Sequence, residues 1–200
     1  MRRFECLEVL APMIDDDLVI SNVARTSFEW HMLCPREGNL YTMAMGMVTS
    51  VAHGLALSLP HRRVIALDGD GGMLLNLGAL ATIGNTAPPN LISIVFDNAA
   101  YASTGGLPTA TAGRTDIAAI GRGAGIDGSV TVTDLADFTA AINKAFTEPG
   151  PWLIVARVVN EKPPVEPKLM DGRENKYRFV RYIEQTEGTT ILMPSIVGRG

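Results

Sequence analysis

The chain has 200 residues, a formal net charge of −4, 46% hydrophobic residues and two cysteines. That length and apolar content suit one domain with a full core. The mildly acidic balance gives no basic footprint for nucleic acid, and Cys6 and Cys34 form neither a metal spacing nor a disulfide framework. Met1–Leu10 carries charges and no continuous apolar stretch, and no run reaches the length of a membrane span, so a cytoplasmic location is expected by default. In chain order, Leu18–Ser21 is a predicted strand and Thr26–Leu33 a helix. A small-residue helix covers Val48–Leu59, a strand Arg63–Leu67, a helix 73–83 and a strand 91–96. A helix through Asp116 to Gly123, a short strand at Val130–Val132 and a helix capped by Thr133 or Asp134 follow. Pro149-Gly150-Pro151 breaks the chain before the strand Trp152–Val158. Alternating units of this size predict a doubly wound parallel α/β sheet, with ligands beyond the carboxyl ends of the strands.

Two of those strand ends carry chemistry. The run 63–67 ends in Asp68-Gly69-Asp70-Gly71-Gly72, where a glycine turn lets backbone N–H groups face an anion. Asp70 in such a turn faces phosphates only if a cation lies between them. The strand 91–96 ends in Asp97-Asn98, and Asn98 lies 28 positions after Asp70. One carboxylate, one side-chain amide and a backbone carbonyl just beyond make a set of hard oxygen donors suited to Mg²⁺ or Ca²⁺.

The paired motifs resemble the signature of thiamine diphosphate (ThDP) enzymes. By that resemblance Asp70, Asn98 and the carbonyl of Ala100 bind Mg²⁺, while Gly69, Gly71, Gly72, Asn98 and Tyr101 line the cofactor. Such enzymes also place a bulky apolar residue 25 positions before the motif aspartate to hold the cofactor bent, and that position is Met45. Met suits an irregular gap beneath aromatic rings. The Met43 carbonyl then accepts from the cofactor's 4′-amino group, and Arg25, Thr26 and Ser27 at a helix start hold the diphosphate. Core packing of Met43, Met45 and Met47, and simple capping by 25–27, are the competing readings. His53, alone on a helix, is read as packed rather than catalytic.

More narrowly, Asp68–Asp70, Leu80-Ala81-Thr82-Ile83-Gly84, Pro89–Ile92 and Ser103-Thr104-Gly105-Gly106 resemble the phosphonopyruvate and sulfopyruvate decarboxylases. The similarity runs from roughly Asp17 to Arg157. Two departures stand out: Leu107 replaces a usual Gln, and Met43-Ala44-Met45-Gly46 replaces Gly-Ser-Met-Gly. The resemblance implies decarboxylation of a small anionic 2-oxoacid to an aldehyde, with the cofactor as electron sink. Met45 and Thr104 are the catalytic candidates, Thr104 facing the substrate. A second anionic group on the substrate is expected to meet Arg25 and a basic helix bearing Arg178 and Arg181.

These enzymes need a glutamate on the aminopyrimidine ring, carried by a separate pyrimidine-binding domain. Glu5, Glu8, Glu29 and Glu37 match no such motif, and 200 residues offer no second α/β domain. The expectation is a hetero-oligomer whose α subunit supplies that Glu. Alternatives are a subunit of an acetolactate synthase-like carboligase, or a non-catalytic ThDP-binding subunit. Residues 1–160 are expected to form the diphosphate-binding domain, and 161–200 a linker, helix and tail. Within that tail Lys162–Pro167 reads as a Pro-rich linker. Asn175–Glu184 reads as a basic, aromatic helix that either covers the site or packs on its own domain.

Overall fold

The computed structural model describes residues 1–160 and 171–192. The Lys162–Pro167 linker and the tail beyond 192 lie outside the described residues. Six strands form one all-parallel sheet in the order β2-β1-β3-β4-β6-β5. They are β1 (Leu18–Asn22), β2 (Asn39–Met43), β3 (Val64–Gly69), β4 (Leu91–Asp97), β5 (Gly128–Val132) and β6 (Trp152–Arg157). The central strands are Val- and Ile-rich and buried almost throughout, as a sheet covered on both faces requires.

Side-chain alternation divides the core in two. From β3, Ile65 and Leu67 enter one layer with α1 (Arg3–Leu10), α2 (Arg25–Leu33) and α7 (Leu135–Thr147), which supply Leu7, Leu10, Trp30 and Phe138. Val64 and Ala66 enter the opposite layer with α3 (Val48–Ser58), α5 (Gly78–Thr86) and α6 (Ile117–Gly123), through Ala52, Leu80, Ile83 and Ala118. The N-cap of α7 is Asp134, whose carboxylate accepts from the Asp137 N–H at 2.9 Å.

Three elements differ from the sequence expectation. α1 occupies Arg3–Leu10, where interleaved charges hide a narrow stripe of Cys6, Leu7 and Leu10. β2 forms a sheet edge. The helix expected over 73–83 is two helices: α4 already begins at Asp70 and ends at Leu75, and α5 resumes at Gly78. Asn76 breaks the path with φ −145°.

The basic, aromatic segment near the end is α8 (Gly172–Glu187), and it packs on its own domain. Phe179 and Ile183 enter the second core layer. Asn175 supplies the groups a neighbouring strand would: its Oδ1 accepts from the Tyr41 N–H at 2.8 Å and its Nδ2 donates to the Asn39 carbonyl at 2.9 Å. The open edge of β2 is thereby covered. At the other end of α8, Arg62 donates to Glu187 at 2.7 Å and stacks on Tyr182. Among the described residues no helix is long and apolar enough to cross a membrane.

Candidate active site

The chain leaves β1 toward β2 on one side, while β3 leads to β4 on the other. A cleft opens at the carboxyl ends of β1, β3 and β4, where this reversal separates the crossovers. The charged side chains lining it are Arg3, Arg25 and Asp70. Thr26, Met45, Gly69, Gly71, Gly72, Asn98, Ala100, Tyr101 and Thr104 also line it. Of the metal, cofactor and catalytic candidates named from the sequence, Met43 and Ser27 do not. Ser27 Oγ donates to the Asn22 carbonyl at 2.5 Å and lies 2.8 Å from Ser21 Oγ, bracing the β1–α2 turn. The Met43 carbonyl accepts from the Val23 N–H at 2.9 Å, so one of its two acceptor directions is already used.

Asp70 is 2% exposed and opens α4 directly after β3. Thr109 Oγ1 lies 2.5 Å from its Oδ2, and Thr111 Oγ1 3.2 Å from the same oxygen. Burial pushes its carboxyl above the usual range and the nearby Asp97 adds to this, while the threonine hydroxyls oppose it. Two residues earlier, still inside β3, Asp68 is pushed up to about 7, mainly by burial. Of these two carboxyls only Asp70 lines the cleft, where a bound cation would offset the cost of its buried charge.

Across the cleft floor, Asp97 ends β4 and is held by Arg157 at 2.9 Å and by the Thr111 hydroxyl at 2.7 Å. Asn98 follows, its Oδ1 accepting from the Ala100 N–H at 3.2 Å. Ala99 takes φ +57°, and its carbonyl accepts from the Thr109 N–H. The Ala100 carbonyl is paired with no donor among the described residues. The donors therefore fit a hard divalent ion: a carboxylate, an amide oxygen and an unpaired carbonyl. Among the described residues no group of three His, Cys, Asp or Glu forms a metal cluster, so oxygen donors of this mixed kind are what the cleft offers.

The loop after Asn98 is tied back on itself. The Tyr101 carbonyl accepts from the N–H groups of Thr104 and Gly106, both at 3.0 Å, and the Tyr101 N–H donates to Leu107 at 2.8 Å. The Tyr101 ring lies against Gly71, where an added Cβ would sit 2.6 Å from the ring and 3.5 Å from Met45 Cε. Only glycine permits that approach. Thr104 is exposed on the loop.

Sequence reasoning missed four polar residues that set this geometry. Asn22 ends β1. In the amide orientation that satisfies its neighbours, it accepts from the Gly69 N–H at 3.0 Å and donates to Thr26 Oγ1 at 3.1 Å. Thr109 and Thr111 bridge the ends of β3 and β4. Asn76 joins α4 to the turn carrying Met45. Each is a lone polar residue with no periodic signal; a Thr-x-Thr closing the loop after Asn98 is the faintest of hints. The expected basic wall from α8 is corrected. Arg178 pairs with Glu174 and Arg181 with Glu184, and neither lines the cleft. Of the four glutamates, Glu29 pairs with Arg3 and Glu5 with Arg2.

Over 186 residues the chain is 36% identical to the sulfopyruvate decarboxylase subunit beta of Methanococcus maripaludis, covering 92% of this chain and 99% of that one. It is 37% identical to the phosphonopyruvate decarboxylase of Streptomyces viridochromogenes, covering 76% of this chain and 38% of the longer relative. In fold it is similar to the benzoylformate decarboxylase of Polynucleobacter necessarius, with a TM-score of 0.67, 22% identity and coverage of 82% and 34%. The family model "Thiamine pyrophosphate enzyme, C-terminal TPP binding domain" matches residues 25–156. Strand-end motifs, cleft and relatives converge, and the chain belongs to the thiamine pyrophosphate enzymes, through their C-terminal TPP-binding domain.

Proposed function

We propose that this chain is the diphosphate- and Mg²⁺-binding subunit of a two-subunit 2-oxoacid decarboxylase acting on sulfopyruvate or phosphonopyruvate. The observation that carries it is the convergence of Asp70, Asn98 and Ala100 on one cleft also lined by Met45. Relatives matched over most of this chain carry decarboxylase names, which favours this reading over a carboligase or a non-catalytic subunit.

Thiamine diphosphate, when bound, supplies the electron sink that loss of CO₂ from a 2-oxoacid requires. The chain's own residues do the positioning. Asp70, the Asn98 amide oxygen and the Ala100 carbonyl would hold Mg²⁺, and burial of Asp70 would strengthen its attraction for the cation. Gly71 lets Tyr101 and Met45 close on the metal-bearing turn. Met45 would support the cofactor, and the Thr104 hydroxyl would donate to the substrate carboxylate. Arg25 and Thr26 face the diphosphate from the start of α2.

The activating glutamate comes from an α subunit with a pyrimidine-binding domain. Glu29 cannot serve, because it is buried in its pair with Arg3. The test is CO₂ release from sulfopyruvate, phosphonopyruvate and pyruvate by the chain alone and by the chain mixed with its α subunit. Activity is expected only in the mixture and only strongly with the two dianionic acids. Decarboxylation by the single chain overturns the two-subunit reading, and equal use of pyruvate overturns the substrate class.

A further inference from the structure

Arg3 stands at the start of α1, far in sequence from either motif, yet it lines the same cleft as Asp70, Met45 and Tyr101. Its guanidinium is fixed from behind. Nε donates to Glu29 Oε2 at 2.7 Å and Nη2 to Glu29 Oε1 at 2.8 Å, a two-pronged pair. Glu29 lies on α2 with its side chain 2% exposed, against 13% for that of Arg3. The pair consumes Nε and Nη2; Nη1, with two further N–H donors, meets no acceptor among the described residues.

An ion pair taken out of water gains little net stability, so stability is a poor reason for placing one at the cleft wall. A pair that orients one partner has a clearer use. Arg3 lines the cleft together with Arg25, and the remaining charge on the lining is Asp70, assigned to the metal in the function proposed above. The Arg3 guanidinium is pre-oriented at this wall by Glu29, which is how arginine reads oxyanions.

We propose that Arg3 is an anion-binding residue of this site, held by Glu29 so that its free edge meets an oxyanion. The anion is a diphosphate oxygen of the cofactor, or the sulfonate or phosphonate of the substrate; the second source rests on the function proposed above. Arg3 takes the place that the α8 arginines leave vacant.

The test uses the full chain in complex with its α subunit. Arg3→Ala alone strands a buried carboxylate and risks unfolding, so the informative variant is Arg3→Met with Glu29→Leu, which removes both charges. Arg178→Ala is the control, a cation removed away from the cleft. Binding of inorganic diphosphate with Mg²⁺ is measured by calorimetry, and kcat/KM is compared for sulfopyruvate, phosphonopyruvate and pyruvate. A loss of about tenfold or more in diphosphate affinity, with acid preference kept, assigns Arg3 to the diphosphate. Unchanged diphosphate affinity, with the preference for dianionic acids over pyruvate reduced by about tenfold, assigns it to the substrate. Arg3→Lys, which keeps the charge but not the fork, should fall between parent and double variant. If the folded double variant matches Arg178→Ala in both measurements, Arg3 is a structural residue and the proposal fails. Should the parent complex itself not distinguish the three acids, the substrate reading fails separately, and the diphosphate measurement alone decides for or against Arg3.

Discussion

The side-chain amide of Asn76 donates to the Gly46 carbonyl at 2.9 Å and to Ser50 Oγ at 3.0 Å, fastening the far end of α4 to the turn that carries Met45. Gly46 has φ +81°, and an added Cβ there would lie 3.3 Å from Leu75 and 3.5 Å from Asn76. Since Asp70 opens the same helix and Met45 Cε approaches Gly71, the Met45 turn touches α4 at both ends. Asp70 and Met45 are therefore spaced by one short helix.

Asn76→Leu should loosen that spacing while leaving the fold. The expected result is a fall in kcat of about tenfold, as for loss of one hydrogen bond to a positioned group, with Tm shifted by only a few degrees. Thermal melts and steady-state kinetics on the same sample check it. An unchanged kcat would mean that Met45 is held by its own packing.

Asp70→Ala and Asn98→Ala should each weaken Mg²⁺-dependent ThDP binding well beyond tenfold, more than about 1.4 kcal/mol. Asp70→Ala also leaves the Thr109 hydroxyl without its carboxylate acceptor, so circular dichroism must accompany the calorimetry. Near-parent affinity in either folded variant rules out that residue as a metal ligand.

The features legible in the sequence are those where composition and position reinforce one another. Val- and Ile-rich runs gave β3 and β4, and the Asp-Gly-rich turns at their ends gave the cleft. β2 escaped because an edge strand with Asn39 inside it lacks a continuous apolar run, and its pairing is completed by Asn175 from the other end of the chain. The break at Asn76 escaped because the residue that stops α4 spends its amide on Gly46, 30 positions away. Arg178 and Arg181 misled because charge in a sequence does not reveal its partner; each has a glutamate within one helical turn. Arg3 and Glu29 escaped for the same reason in reverse, since only the packing of α1 on α2 brings them together.

α8 belongs to the folded core as much as any helix between strands. Phe179 is 4% exposed in the second layer. Phe179→Ala should destabilise the chain by about 3–5 kcal/mol, measured by urea unfolding. A cost below about 1 kcal/mol would indicate that α8 is a detachable cover rather than a part of the domain.

Met45 offers the sharpest test of how the cofactor is held. It is half-buried, with Cε near the position a Cβ would take on Gly71, so its bulk, not its polarity, is what the cleft feels. Met45→Leu conserves volume and should retain much of the activity of the assembled enzyme, because volume-conserving apolar changes cost less than about 1.5 kcal/mol. Met45→Ala removes the bulk that is proposed to support the cofactor. Turnover should then fall by at least about a hundredfold, equivalent to roughly 2.7 kcal/mol of lost positioning, with a smaller loss of ThDP affinity. The ordering Met, then Leu, then Ala is the signature of a support that acts through shape. If Ala matches the parent while Leu fails, the side chain acts as an obstacle and not as a support.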